Sequence, residues 1–380
     1  MSPPQAPRST AAHPGLLLGS AGARITLNGR EYINFAGSTY LALGNQQELR
    51  NAAQKALKAG AAFSCQLPSV YGVADPFIGE LEKTAASYCG TEAAVYIASG
   101  YLIGAAALMS LDSQPSMLFI DEDAHFSLFD AARLTAFPLV RFNHCDPEAL
   151  EKAIRKNLPP GERPVALTDG LFGTSGRIAP LAEYAAILNN WDGRLVVDEA
   201  HSFGVLGAHG RGAVEHHGAE RSSALAATLS KAFCAQGAIV GCTQEAAERL
   251  RRLPPLRGAN AGSPISAAVA SASLCYMQAH PERRERLRQL TAYLRKRLRN
   301  IGIETGDSPA PIFAFHRGAR QAMLTLQQQL FERGIYVLMS SYIGAGPDGV
   351  IRCAVFADHS EADLDTLTGE LESLPASLAT

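Results

Sequence analysis

The 380-residue sequence predicts an α/β protein built on a mostly parallel sheet, with a second, smaller α/β domain toward its C-terminal end. Three observations predict it. The chain is longer than a single hydrophobic core usually supports, so two lobes are expected. From about residue 50 to 270, short apolar runs alternate with helical patterns, the signature of a parallel sheet covered on both faces. Near residue 280 the texture changes to a charged helix with one apolar face, followed by further strands.

The elements follow in order. Arg24–Leu27 and Tyr32–Phe35 flank Asn28-Gly29, a hairpin turn signal. A helix at about 79–89 is expected to end at Gly90. Strand-like runs follow at Ala93–Ala98, Met117–Ile120, Val165–Leu167, Leu195–Val197, Ser223–Thr228 and Ala238–Cys242, with helices such as Leu181–Asn190 between them. Leu287, Leu290, Leu294 and Leu298 share one face of a later helix. Segments 310–316 and 350–356 read as strands around a helix at about 319–332. The expected division is an N-terminal tail and hairpin over 1–50, a large domain over 51–275 and a small domain over 276–380.

Composition excludes several function classes. Apolar residues make up 47%, charged residues 18%, and the formal net charge is −2, with no long basic run. Nothing there suits a nucleic-acid or membrane-surface role. No apolar stretch approaches the roughly 18–20 residues of a membrane span, and residues 1–14 lack the pattern of a signal peptide. Seven scattered cysteines with no C-x-x-C fit reduced thiols, and a cytoplasmic location is the expectation.

Ligands of open α/β sheets bind beyond the carboxyl ends of the strands. The polar residues just after the strands are Ser99-Gly100-Tyr101, His125, Thr168-Asp169, Asp198-Glu199-Ala200-His201 and Thr228-Leu229-Ser230-Lys231. Taken singly, each has a structural explanation: a solvated lysine, a turn, a helix cap, a partly buried histidine. Together they match one chemistry. An amine can hold an aldehyde cofactor as an imine. A carboxylate against a pyridine nitrogen keeps that ring protonated. A helix N-terminus after a strand can hold a phosphate. No metal site is expected.

The motifs VDEAHSFGVLGAHGRG (197–212) and TLSKAF (228–233) resemble those of the α-oxoamine synthases, fold-type I pyridoxal-phosphate-dependent transferases. The resemblance extends through YLALG (40–44), SGY (99–101), DAHFSL (123–128), DGLFGTSGRIAPLAE (169–183) and IRCAVFADH (351–359). It implies pyridoxal 5'-phosphate as cofactor and a homodimer with active sites at the interface. It implies a reaction in which an amino acid condenses with an acyl thioester, acyl-CoA or acyl-carrier protein, with loss of CO2.

The resemblance also implies roles. Lys231 is the Schiff-base lysine and acid/base at Cα, and Asp198 pairs with the pyridinium nitrogen. His201 hydrogen-bonds the phenolic oxygen, and His125 stacks on the ring. Ser99, Gly100, Tyr101 and Thr228 hold the phosphate, joined by Ser263 from the partner. Arg352, with Ser38 and Thr39 nearby, binds the substrate.

The sequence departs from that family around the substrate. Ser38 and Thr39 stand where an Asn-containing pair is common. Phe63 to Ser69 replaces a Gly/Ser-rich stretch. Gly173 stands where serine is frequent, with Thr174 and Ser175 beside it. Asn260-Ala261-Gly262-Ser263 replaces a Ser/Thr segment, and the N-terminal arm is short. A pyridoxal-phosphate aminotransferase or other Cα-modifying enzyme, and a non-catalytic partner subunit, remain alternatives, although the last would tend to lack Lys231.

Overall fold

The computed structural model describes residues 17–19, 21–65, 74–111, 116–219, 223–253, 256 and 262–374. Near the N-terminus, β1 (Leu17–Leu18), β2 (Arg24–Leu27) and β3 (Arg30–Asn34) pair antiparallel around the predicted Asn28-Gly29 turn. Both turn residues take positive φ, 50° and 79°, as that tight turn demands.

The central sheet comprises β4 (Ala93–Ile97), β5 (Met117–Asp121), β6 (Leu139–Phe142), β7 (Pro164–Asp169), β8 (Arg194–Asp198), β9 (Ser223–Thr228) and β10 (Ala238–Cys242), in the order β4-β10-β9-β8-β7-β5-β6. Alternate residues feed opposite faces. Leu195 and Val197 enter one hydrophobic cluster and Val196 the other; Phe119 enters the first, while Leu118 and Ile120 enter the second. Both faces are thus covered, as the continuous apolar runs predicted.

Two features depart from the sequence reading. β10 runs antiparallel to both β9 and β4. Only residues 229–237 link it to β9, fewer than the roughly ten to twelve a parallel crossover needs. β6, at the sheet edge, was not anticipated. Its Leu139 and Arg141 are exposed, so it lacks the apolar run that marks an interior strand.

The helices start and stop by local chemistry. In the helix Pro76–Cys89, Asp75 accepts from the amides of Phe77 and Ile78 at 2.9 and 3.0 Å, and Pro76 opens the first turn. Gly90, in the left-handed region at φ 70°, closes it as expected. Asp146 caps Pro147–Asn157 in the same way, through the amide of Ala149.

In the C-terminal part, the helix Glu282–Asn300 buries all four predicted leucines. β11 (Ile312–Phe315), β12 (Ile335–Tyr336), β13 (Leu338–Ser340) and β14 (Val350–Ala354) follow. A three-stranded antiparallel sheet runs β11-β14-β13. β12 instead pairs parallel with β3, so the N-terminal hairpin packs with the C-terminal elements. Among the described residues, no helix is long and apolar enough to cross a membrane.

Candidate active site

The carboxyl ends of β5, β7, β8 and β9 lie along one edge of the sheet. β4 is antiparallel to β10, which is antiparallel to β9, so its carboxyl end, leading into Ser99, lies on the same side. The strand-end residues named from the sequence therefore converge.

Asp198 ends β8, is buried, and accepts the amide of Ala200 at 2.9 Å. Asp169 ends β7 and accepts the amide of His125 at 2.7 Å. Burial, together with the Asp198 charge, pushes Asp169 well above the usual carboxylate range. Lys231 lies three residues beyond β9. Burial lowers its amine below the ordinary lysine range, against the pull of Asp198 and Asp169. A lysine so placed gives up its proton more readily than a solvated one.

His125 caps the helix Phe126–Thr135. Its Nδ1 accepts the amide of Ser127 at 3.2 Å, so its proton sits on Nε2, 3.0 Å from Tyr342 Oη. Burial holds this imidazole below its usual range, hence neutral. His201 is held well below the same range by burial and by the Lys231 charge. Its Nδ1 lies 2.6 Å from the hydroxyl of Tyr40.

Within the Asp198–Gly212 motif, the adjacent carboxylates divide their work. Glu199 turns into the core, where its two oxygens accept the amides of Val214 and Ala213 at 2.7 and 2.8 Å and the hydroxyl of Ser202. Burial pushes it up to about 7. It pins the glycine-rich loop and takes no part in the site. At Gly212, where φ is 105°, a Cβ would collide with that carboxylate.

Ser99 caps the short 3₁₀ turn Gly100–Leu102 through the amide of Tyr101. A Cβ at Gly100 would lie 2.8 Å from Thr228 Oγ1. Only glycine lets this backbone approach that hydroxyl.

A cavity of about 1010 Å³ opens over this edge, lined in part by Gly37, Ser38, His125, Asp169, His201, Tyr342 and Arg352. Arg352 sits on β14, the middle strand of its sheet, and is 6% exposed; it is no surface arginine. It donates from Nε to Gly173 O (2.6 Å), from Nη1 to Gly37 O (3.0 Å) and from Nη2 to Tyr40 Oη (3.3 Å). A guanidinium has five N–H groups, so two remain for a ligand.

Other expected residues fall at the margin. Ser38 lines the cavity, but the Thr39 hydroxyl donates to Ala21 O at 3.1 Å. Ser263 caps the helix Pro264–Ala279 through the amide of Ser266. Tyr101 is half exposed and meets His125 edge-on, with ring centroids 6.2 Å apart. Asn260, Ala261 and residues 66–69 lie outside the described residues. Asp169 was named from sequence as a strand-end residue without a role, while Tyr40 and Tyr342 were not assigned to the site. Tyr40 stood inside a quoted motif, whereas Tyr342 carries no local signal.

Asp121, His144 and Cys145 also cluster. Asp121 Oδ1 accepts the amide of Asp123 and Oδ2 that of Cys145, each at 2.9 Å, while His144 Nδ1 lies 3.0 Å from Oδ1. Burial pushes the Cys145 thiol up to about 12, leaving it protonated. The cluster ties the loop after β6 to the end of β5.

The residues fit pyridoxal 5'-phosphate. A backbone cradle that a Cβ at Gly100 would fill can take its phosphate, and the desolvated amine of Lys231 can bond its aldehyde. Buried Asp198 suits a cationic ring nitrogen.

Residues 30–371 match the model of the "Aminotransferase class I and II" family. A putative 8-amino-7-oxononanoate synthase of Geobacillus kaustophilus is 32% identical, over 91% of this chain and 89% of its own. The 8-amino-7-oxononanoate synthase of Symbiobacterium thermophilum is 31% identical, over 90% and 88%. A solved serine palmitoyltransferase of Sphingomonas wittichii superposes with a TM-score of 0.86 at 26% identity, covering 94% of this chain and 91% of that one. The chain belongs to the class I and II aminotransferase family, as a fold-type I pyridoxal-phosphate enzyme of the α-oxoamine synthase type.

Proposed function

We propose that the protein is a homodimeric, cytoplasmic C-acyltransferase that condenses a small amino acid with an acyl thioester, releasing the thiol and CO2 to give an α-amino ketone. The observation that carries this reading is that His125, His201 and Arg352 line one cavity while the charges of Asp198 and Lys231 act on His125, and that of Lys231 on His201, from adjacent strand ends. The near-full-length similarity to synthases supports it over transamination.

The bound cofactor supplies an electron sink at the substrate Cα. Its phosphate would rest on the Ser99–Tyr101 backbone and the Thr228 hydroxyl, with Ser263 of the partner subunit completing that site. Asp198 would balance the ring-nitrogen charge, His125 would cover the ring face, and the neutral His201 would offer a hydrogen bond to its oxygen. Arg352 would receive the amino-acid carboxylate on its two remaining N–H groups, beside Ser38, while Thr39, tied to Ala21 O, stands back from it. Lys231 takes the Cα proton. A C–C bond forms to the thioester carbonyl carbon as the thiol leaves, CO2 departs, and Lys231 returns a proton to Cα.

The test is product analysis with a panel of amino acids and acyl-CoA or acyl-carrier-protein thioesters. Stoichiometric thiol and CO2 release with one pair is expected. Their absence with every pair, together with pyridoxamine phosphate after mixing with an amino acid, would establish an aminotransferase instead.

A further inference from the structure

Three residues form a hydrogen-bond chain beside the cavity. Arg352 Nη2 donates to Tyr40 Oη at 3.3 Å, and Tyr40 Oη lies 2.6 Å from His201 Nδ1. The direction of each bond follows from what the groups can do. A guanidinium has donors only, so Arg352 occupies a lone pair of the phenol oxygen.

Two arrangements remain for the contact with His201. Either the phenol donates its proton to Nδ1, or a protonated Nδ1 donates to the phenol. In the second arrangement the Tyr40 O–H would have to find another acceptor. Tyr40 is fully buried, and among the described residues its oxygen contacts only Arg352 and His201. Folded proteins rarely leave a buried O–H unpaired, which excludes that arrangement. Burial also pushes the phenol up to about 12, so its proton is present at working pH, while the imidazole is held neutral.

We infer that Tyr40 is a positioning residue that fixes His201 in the Nε2–H tautomer, making Nε2 a hydrogen-bond donor for an anionic ligand oxygen. Nε2 has no hydrogen-bond partner among the described residues. The ring edge that carries it faces Gly173, where a Cβ would collide with Nε2, Cε1 and Cδ2. The absence of a side chain at 173 thus keeps that edge open to the cavity, which both residues line. Resting on the reading above, the ligand oxygen is the cofactor's phenolic oxygen. Tyr40 then joins the carboxylate-binding guanidinium to the cofactor's hydrogen-bond donor through a single atom.

The test is two-bond 15N–1H correlation spectroscopy on the full-length protein labelled with 15N-histidine. The His201 signals are assigned by their loss in His201→Gln. In the wild-type protein the expected pattern is an unprotonated, hydrogen-bonded Nδ1 and a protonated Nε2. In Tyr40→Phe the proton is expected to move to Nδ1 or to exchange between the two nitrogens. A protonated Nδ1 in the wild type, or an unchanged pattern in Tyr40→Phe, overturns the inference. The wild-type spectrum alone suffices for refutation if the variant does not fold. No acyl substrate is present, so failure of the condensation assay would leave this result standing, and a wrong tautomer would leave that assay untouched.

Discussion

Lys231 carries both ends of the proposed chemistry, attachment of the cofactor and movement of the Cα proton. Lys231→Ala should abolish the visible absorption band of the purified protein. It should also lower turnover by about 10²–10⁴-fold through lost proton transfer alone, read as thiol release under saturating substrates. Arg352→Lys keeps the charge but loses the fork. Because the guanidinium also tethers Gly173 and Gly37, this change should raise the amino-acid KM more than it lowers turnover with the acyl thioester saturating. Among histidines, His359 gives the clearest pH effect. It is 3% exposed, and burial lowers it to about 4 against the pull of Asp363. An unfolded-state value near 6.5 lies higher, so the unfolded chain binds the extra proton. The stabilisation is fully present above about pH 6.5 and is lost as pH falls toward 4, by about 3 kcal/mol. Denaturant midpoints between pH 7 and 4 should drop more for the wild type than for His359→Asn.

At the scale of elements, most of the site was legible because the chemistry sits at strand ends, and fully buried strands announce themselves as apolar runs. Asp198 ends such a run, and Lys231 and His125 come within four residues of one. What stayed hidden has physical causes. β6 sits at an edge, so its residues are not uniformly apolar. The direction of β10 depends on connection length, a quantity that hydrophobic pattern does not carry. Glu199 and Asp198 are neighbours in sequence, yet the turn after β8 sends one to the core and the other to the site. Gly100 belongs to this scale too, because it lets two strand ends touch. Gly100→Ala should drive the 3₁₀ turn away from Thr228 and weaken cofactor binding by tenfold or more, about 1.4 kcal/mol. Titration of cofactor-free protein with pyridoxal 5'-phosphate measures it, and an affinity equal to wild type would refute the cradle.

For the whole molecule, the decisive contacts join parts far apart in the chain. Tyr40 and Gly37 follow the N-terminal hairpin, Gly173 and His201 come from the central sheet, and Arg352 comes from β14. The backbone reinforces this meeting: the amide of Phe35 donates to Tyr336 O and that of Ala354 to Phe35 O, at 2.8 and 2.7 Å. No local pattern encodes such a junction, and only the quoted motifs hinted that distant segments share one task. A further link is Arg24 to Asp363, which also completes the capping box of the helix Glu361–Ser373. Asp363→Ala should lower stability by about 1 kcal/mol through the cap, seen as a reduced midpoint of urea unfolding.

The contact between Gly173 and the His201 ring bears on how such a sequence can change. A serine side chain at position 173 and an imidazole in its present place exclude each other. A lineage that undergoes Gly173→Ser must therefore first, or at the same time, let the ring swing or shrink. The two sites are expected to accept substitutions in a restricted order, and a double-mutant cycle over positions 173 and 201 should depart from additivity. Glycine at position 173 is, on this view, less a single choice than one side of a paired one with the ring at position 201.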